Sequence, residues 1–183
     1  MKKIVVFQGS PRKNGACAKI LEQIMAGAKS KGAEVVFCDL NGDGVKGCQG
    51  CGWCRSHDGC ITKDAMAPAL EALREADGMV ASFPIYWGGV SGQAKLLIDR
   101  LYSFASKNFT SKHPGKKFIT VYAQGAGDPE VYRHVVEAND RNFTFFQWEL
   151  IDHLLAYGTS ANGTDLSEAL QKQAFEAGCK IAE

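Results

Sequence analysis

The chain of 183 residues carries 21 Lys and Arg against 20 Asp and Glu, a net charge of +1, with 45% apolar residues and 20 Gly. That length predicts a single domain over residues 1–183, and the near-neutral charge excludes a dedicated nucleic-acid binder. No apolar run nears the ~20 residues that cross a bilayer, and the apolar stretch after Lys2 and Lys3 is shorter than the ~7–15 of a secretory core, so a cytoplasmic location is expected.

Residues 4–8 form a continuous apolar run, the pattern of a parallel strand covered on both faces. Gly9, Ser10 and Pro11 then break regularity, and Cys17, Ile20, Leu21, Ile24, Met25 and Ala28 fall on one helical face that ends at Gly32. Residues 35–38 predict a second short strand. Residues 41–63 show no periodicity and read as an ordered loop, richest in cysteine at 47–61. Met66, Leu70 and Leu73 predict a helix with Pro68 in its first turn. A buried strand follows at 78–83, ending at Pro84. Ser91 then caps a helix whose apolar stripe runs Ala94, Leu97, Ile98, Leu101 and Phe104. Residues 118–122 predict a fourth strand, and Asp128-Pro129 reads as a helix cap followed by Pro at the first position. A fifth strand near 154–157 and a last helix from about Ser167 complete an alternating βα pattern, hence a parallel sheet with helices on both faces.

Ligands of such sheets bind beyond the carboxyl ends of the strands. Three loops leave those ends. Ser10, Arg12, Asn14, Gly15, Ala16 and Cys17 run into a helix N-terminus, where free amides and the helix dipole favour an anion. The Gly-Lys-Ser/Thr ending of a nucleoside-triphosphate loop is missing, so anion binding without hydrolysis is expected. Pro84, Ile85, Tyr86, Trp87 and Gly88 place two aromatics at a strand end, suited to a planar heterocycle. Gln124 and Gly125 could supply backbone donors to the same ring. Taken alone, the first and third loops are equally plain connections, and an isolated Tyr86–Trp87 pair reads first as a cap on the core. Gly42-x-Gly44-x-x-Gly47 follows a strand but opens no helix, and no cysteine has Arg six positions on, which argues against a cysteine-nucleophile phosphatase. The three Asn-x-Thr triplets at Asn108, Asn142 and Asn162 carry no weight in an unexported chain.

These motifs resemble the NADPH-dependent FMN reductase-like flavoproteins: residues 9–15, Cys48-x-x-Cys51-Gly52-x-Cys54, residues 84–88, and residues 95–100 (Lys-Leu-Leu-Ile-Asp-Arg). The cysteine loop resembles the iron–sulfur flavoprotein branch. The resemblance implies a flavodoxin-like three-layer fold with a five-stranded sheet of order 2-1-3-4-5, FMN at the carboxyl edge, NAD(P)H as electron donor, and a homodimer or homotetramer. Carried over by position, Ser10, Arg12, Asn14, Gly15, Ala16 and Cys17 would surround the FMN phosphate. Residues 84–88 would hold the ribityl chain and ring, with Gln124 and Gly125 on the far side. Cys17 stands where many relatives have Thr. No side chain is needed as acid or base, because flavin carries the chemistry.

Cys48, Cys51, Cys54 and Cys60 form a compact four-thiol run, a candidate 4Fe–4S site, with zinc and simple loop packing as alternatives. A cluster would join two-electron donors to one-electron partners such as ferredoxin, which makes single-electron transfer the alternative function and a non-enzymatic FMN or metal-binding module the third. His57 lies in the cysteine loop, where it could tune a cluster or simply face solvent, and His113, His134 and His153 show no neighbouring carboxylate pattern. Phe143, Phe145, Phe146 and Trp148 exceed what one helix face can bury, so some are expected at an oligomer interface.

Overall fold

The computed structural model describes residues 1–160 and 165–183; the triplet at Asn162 lies outside them. The elements in chain order are β1 (Lys3–Gln8), α1 (Ala16–Ser30), β2 (Glu34–Asp39), α2 (Ala67–Glu75), β3 (Gly78–Tyr86), β4 (Gly89–Val90), α3 (Gly92–Arg100), β5 (Lys117–Ala123), α4 (Arg133–Thr144), β6 (Glu149–Ala156) and α5 (Glu168–Ile181). The sheet order is β2-β1-β3-β5-β6, all parallel, and the two-residue β4 folds back antiparallel on β3. Setting that hairpin aside, this is the expected doubly wound order, now with a sixth strand that the sequence reading did not include.

Alternation along the strands builds two cores. In β1, Ile4 and Val6 face α1 and α5, whereas Val5 and Phe7 face α2, α3 and α4. Both faces are covered, which is why the strand reads as an unbroken apolar run. Helices α1 and α5 approach unusually closely through Gly27 and Gly178, where a Cβ would stand 2.1 Å from the carbonyl oxygens of Phe175 and Ile24 respectively.

Three boundaries depart from expectation. Helix α4 begins at Arg133, not at Asp128-Pro129. The Asp128 carboxylate accepts from the Glu130 amide (2.9 Å) in a local turn, and its carbonyl accepts from Gln124 Nε2 (2.7 Å), so this backbone is committed before a helix can start. Strand β6 begins at Glu149, five residues ahead of the expected start. The apolar stripe of α3 continues past Arg100 as a separate 3₁₀ turn, Leu101–Phe104.

The aromatic group near α4 is also resolved differently. Phe143, Phe146 and Trp148 are buried within the chain's own core, and Trp148 Nε1 donates to the His113 carbonyl at 2.7 Å. Only Phe145 is left exposed. Two histidines, read as lacking carboxylates, acquire them from distant segments: His113 Nε2 lies 3.2 Å from Asp58 and His153 Nδ1 lies 3.5 Å from Asp140. Among the described residues no helix is long and apolar enough to cross a membrane.

Candidate functional site

The carboxyl ends of β1, β3 and β5 open into a cleft of about 680 Å³, within the ~300–1,000 Å³ of small-molecule pockets. Its floor and walls bring together Ser10, Arg12, Asn14, Gly15, Ala16 and Cys17 from the first loop, Pro84, Ile85 and Tyr86 from β3, and Gly125 after β5. Trp87, Gly88 and Gln124, expected at the same site, do not line it. Trp87 points into solvent with a left-handed backbone (φ 53°), because the chain reverses there to pair β4 with β3. Gln124 is buried behind the cleft, tying the loop after β5 to residues 158–160: its carbonyl accepts from the Thr159 amide and hydroxyl, each at 3.0 Å. The sequence reading missed Lys19, Ala123, Thr159 and Ser160, which complete the lining.

The first loop is held by tertiary contacts. The Gly9 amide donates to Ser82 Oγ (3.0 Å), and Ser91 Oγ donates to the Gly9 carbonyl (2.6 Å) while accepting from the Ala94 amide as the α3 cap. A Cβ on Gly9 would lie 2.2 Å from the Ser82 carbonyl oxygen and 2.8 Å from Ala94 Cβ, so only glycine lets β1 hand over to the loop this close to β3 and α3. Ser10 Oγ accepts from the Arg12 amide at 3.2 Å, and Arg12 Nη1 donates to the Ser160 carbonyl at 3.2 Å. No side chain caps α1, whose N-cap is Gly15. Its first-turn amides and positive dipole end therefore face the cleft without a carboxylate or hydroxyl competitor. Burial pushes the Cys17 thiol up to about 12, against a hydrogen bond with Ser82 that lowers it. It is a neutral packing group under the loop and no nucleophile at physiological pH.

These features fit FMN. An uncapped helix start with Ser10, Asn14 and Arg12 suits a phosphate, and the apolar ends of β3 suit a planar ring.

A second cavity, about 280 Å³, is lined by all four clustered cysteines, Cys48, Cys51, Cys54 and Cys60, together with Trp53 and Arg100. Gly50 (φ 63°) and Gly52 (φ 71°) adopt left-handed conformations on either side of Cys51 and reverse the chain there. None of the four is in a disulfide. Burial raises the Cys54 thiol, while the nearby Lys112 charge lowers it. Among the described residues no three His, Cys, Asp or Glu side chains converge closely enough to grip a single ion. Four thiols lining one cavity are a donor set suited to an iron–sulfur cluster or to tetrahedral zinc.

Fold and sites together define a doubly wound α/β protein with a cleft at its carboxyl edge and a separate four-thiol cavity. A sequence model of the NADPH-dependent FMN reductase family matches residues 2–136, and the chain belongs to that family. Among curated proteins it is similar to an iron-sulfur flavoprotein of Methanosarcina thermophila, 37% identical over 128 residues, covering 70% of this chain and 67% of that one. An iron-sulfur flavoprotein of Archaeoglobus fulgidus is 29% identical over 182 residues, covering 99% and 79%. Among solved structures, an NAD(P)H:quinone oxidoreductase from Methanothermobacter marburgensis superposes with a TM-score of 0.75 at 16% identity, covering 100% of this chain and 96% of that one. An NADH:FMN oxidoreductase in its apo form does so at 0.68 and 17%, covering 100% and 89%. At these identities the structures establish the fold.

Proposed function

We propose that the chain is an FMN-dependent NAD(P)H oxidoreductase whose flavin occupies the cleft at the carboxyl edge. The observation that carries this reading is the meeting, in one cleft, of the uncapped start of α1 with the ends of β3 and β5, in a chain of the FMN reductase family. Bound FMN supplies hydride acceptance and electron storage. The α1 amides, Ser10, Asn14 and Arg12 fix the phosphate, and the Arg12 bond to the Ser160 carbonyl closes the loop over that end. Pro84, Ile85 and Tyr86 set the plane against which the ring rests, and Gly125 leaves backbone exposed on the opposite side.

Adding NADPH or NADH anaerobically to the FMN-loaded protein tests this: rapid loss of the oxidised flavin absorption is expected. A flavin left oxidised by both but reduced by reduced ferredoxin points to the second reading. No reduction by either leaves a binding module.

The second reading, single-electron exchange through a cluster held by Cys48, Cys51, Cys54 and Cys60, is favoured by the four thiols around one cavity and by the iron-sulfur flavoprotein relatives. Seven cysteines without a disulfide suit a reducing cytoplasm. A homodimer or homotetramer is proposed through the groove beside the cysteine loop, where Tyr102, Phe109 and Phe145 are exposed. Light scattering that gives a monomer mass at micromolar concentration would contradict it.

A further inference from the structure

The wall of the four-cysteine cavity contains a buried cation. Arg100 closes α3, and its side chain and that of Asp64 are both fully withdrawn from solvent. The guanidinium forks onto the carboxylate, Nη1 to Oδ2 at 2.9 Å and Nη2 to Oδ1 at 3.3 Å. It also donates to two carbonyls that bracket the cysteine loop, Lys46 at 2.9 Å and Thr62 at 3.2 Å. Asp64 in turn accepts from the Lys46 amide (2.8 Å) and the Ala67 amide (3.0 Å). Of the guanidinium's donors, the buried Nε meets no hydrogen-bond criterion with any group among the described residues. Cys60 lines the same cavity as Arg100.

A second cation stands on the other side of the loop. Lys112 Nζ donates to the carbonyls of Cys54 (2.6 Å), His57 (2.8 Å) and Ser103 (3.4 Å), with no carboxylate in an ion pair with it among the described residues. Its charge acts on Cys54. Arg100 is neutralised by Asp64, whereas the half-buried Lys112 has only backbone carbonyls as partners among the described residues. Two cations placed on the backbone of a loop that presents four thiols make sense if those thiols carry negative charge in the working protein.

We propose that Arg100 and Lys112 are positioning residues that supply fixed counter-charges to a four-thiolate redox centre in this cavity and set its reduction potential. The inference rests on the cluster reading above. Reduction adds one electron to a group already ligated by four anionic sulfurs, with no bond made or broken, so nearby fixed cations favour the reduced form.

The test uses full-length protein purified without oxygen, with iron, sulfide and FMN content measured alongside potentiometric titration of the cluster by dithionite, followed by electron paramagnetic resonance. Lys112→Met removes one charge, and Lys112→Arg keeps it. Arg100→Gln is made together with Asp64→Asn, so that no buried carboxylate is stranded. The expected result is retained iron in all variants, a lower potential in Lys112→Met, and a smaller shift in the Arg100→Gln/Asp64→Asn pair, which removes one charge of each sign. A tenfold change in the reduction equilibrium, about 59 mV for one electron, is expected for Lys112→Met, with Lys112→Arg near wild type. Unchanged potentials with iron retained would overturn this proposal and leave the cluster reading standing. Loss of iron from Lys112→Arg as well as Lys112→Met would also overturn it, because geometry and not charge would then be what the site needs. Wild-type protein without iron and sulfide would overturn the cluster reading and this proposal together.

Discussion

Replacing Gly9 by alanine should damage both stability and flavin binding. The new Cβ would sit 2.2 Å from the Ser82 carbonyl oxygen, whereas ordinary carbon–oxygen contacts begin at ~3.3 Å, so loop and strand must separate by about 1 Å. Overpacking of that kind costs about 1–3 kcal/mol. The shift also weakens two hydrogen bonds, Gly9 amide to Ser82 Oγ and Ser91 Oγ to the Gly9 carbonyl, each contributing about 1 kcal/mol. A total of about 3–5 kcal/mol is a large part of the ~5–15 kcal/mol that holds a domain folded. The same displacement moves Ser10 away from the start of α1, and an FMN affinity at least tenfold weaker, ~1.4 kcal/mol, is expected. Urea denaturation of the apoprotein measures the first effect, and quenching of FMN fluorescence measures the second. Gly92→Ala is the control, since nothing stands near its Cβ. Wild-type stability and FMN affinity in Gly9→Ala would refute the close-approach argument.

The other predictions test separate parts of the account. Gly178→Ala drives a methyl to 2.1 Å from the Ile24 carbonyl and should lower stability by ~1–3 kcal/mol in denaturant melts without altering the FMN affinity of the protein that remains folded. Asp64→Asn leaves Arg100 buried without its counter-ion and should cost about 3–5 kcal/mol, accompanied by faster proteolysis of the 46–62 segment; an unchanged midpoint would show that the pair is not needed. Trp87→Ala should leave FMN affinity within twofold, whereas Arg12→Ala should weaken it several-fold, because only Arg12 lines the cleft. The hydrogen bond with Asp140 raises the pKa of His153 despite partial burial. Its stabilising contribution is therefore complete below the unfolded value near 6.5 and fades as pH rises through the higher folded value. With its side chain half exposed the effect is small, and a melting-temperature profile flatter for His153→Gln than for wild type between pH 6 and 8 would register it.

What the sequence made legible follows from where each signal resides. Strand β1 and the loop into α1 announce themselves because strand, break and helix are contiguous, and β3 is buried on both faces and so reads as an apolar run. Strand β6 lies at the sheet edge, and its Glu149, Asp152 and His153 dilute the pattern, so only its apolar end was visible. The Asp128-Pro129 start signal was sound chemistry overruled by Gln124, whose amide claims the Asp128 carbonyl. In the site, the residues contributed by the first loop and β3 could be read locally, but Ser82, Ser91 and Thr159 join through contacts that span 73, 82 and 35 residues. Arg100 did carry a signal. It falls on the apolar stripe between Leu97 and Leu101, where a charge must be paired, yet nothing in the sequence pointed to Asp64 as the partner.

The exposed aromatic pair shows the limit of motif placement. Tyr86 and Trp87 are adjacent in sequence, but Tyr86 is the last residue of β3 and Trp87 the first of the β3–β4 reversal, so only Tyr86 faces the cleft. A strand alternates sides at every residue, and the reversal adds a left-handed step that no composition rule reveals.

The central claim is that this chain holds FMN in the cleft and accepts hydride from a nicotinamide donor. Its most direct test is the visible spectrum of anaerobically purified protein before and after one equivalent of NADPH. The account predicts one FMN per chain, released intact on denaturation, with its oxidised band lost on mixing and restored by air. Protein that carries no flavin and takes up none, or whose bound FMN stays oxidised with both NADPH and NADH, would contradict it.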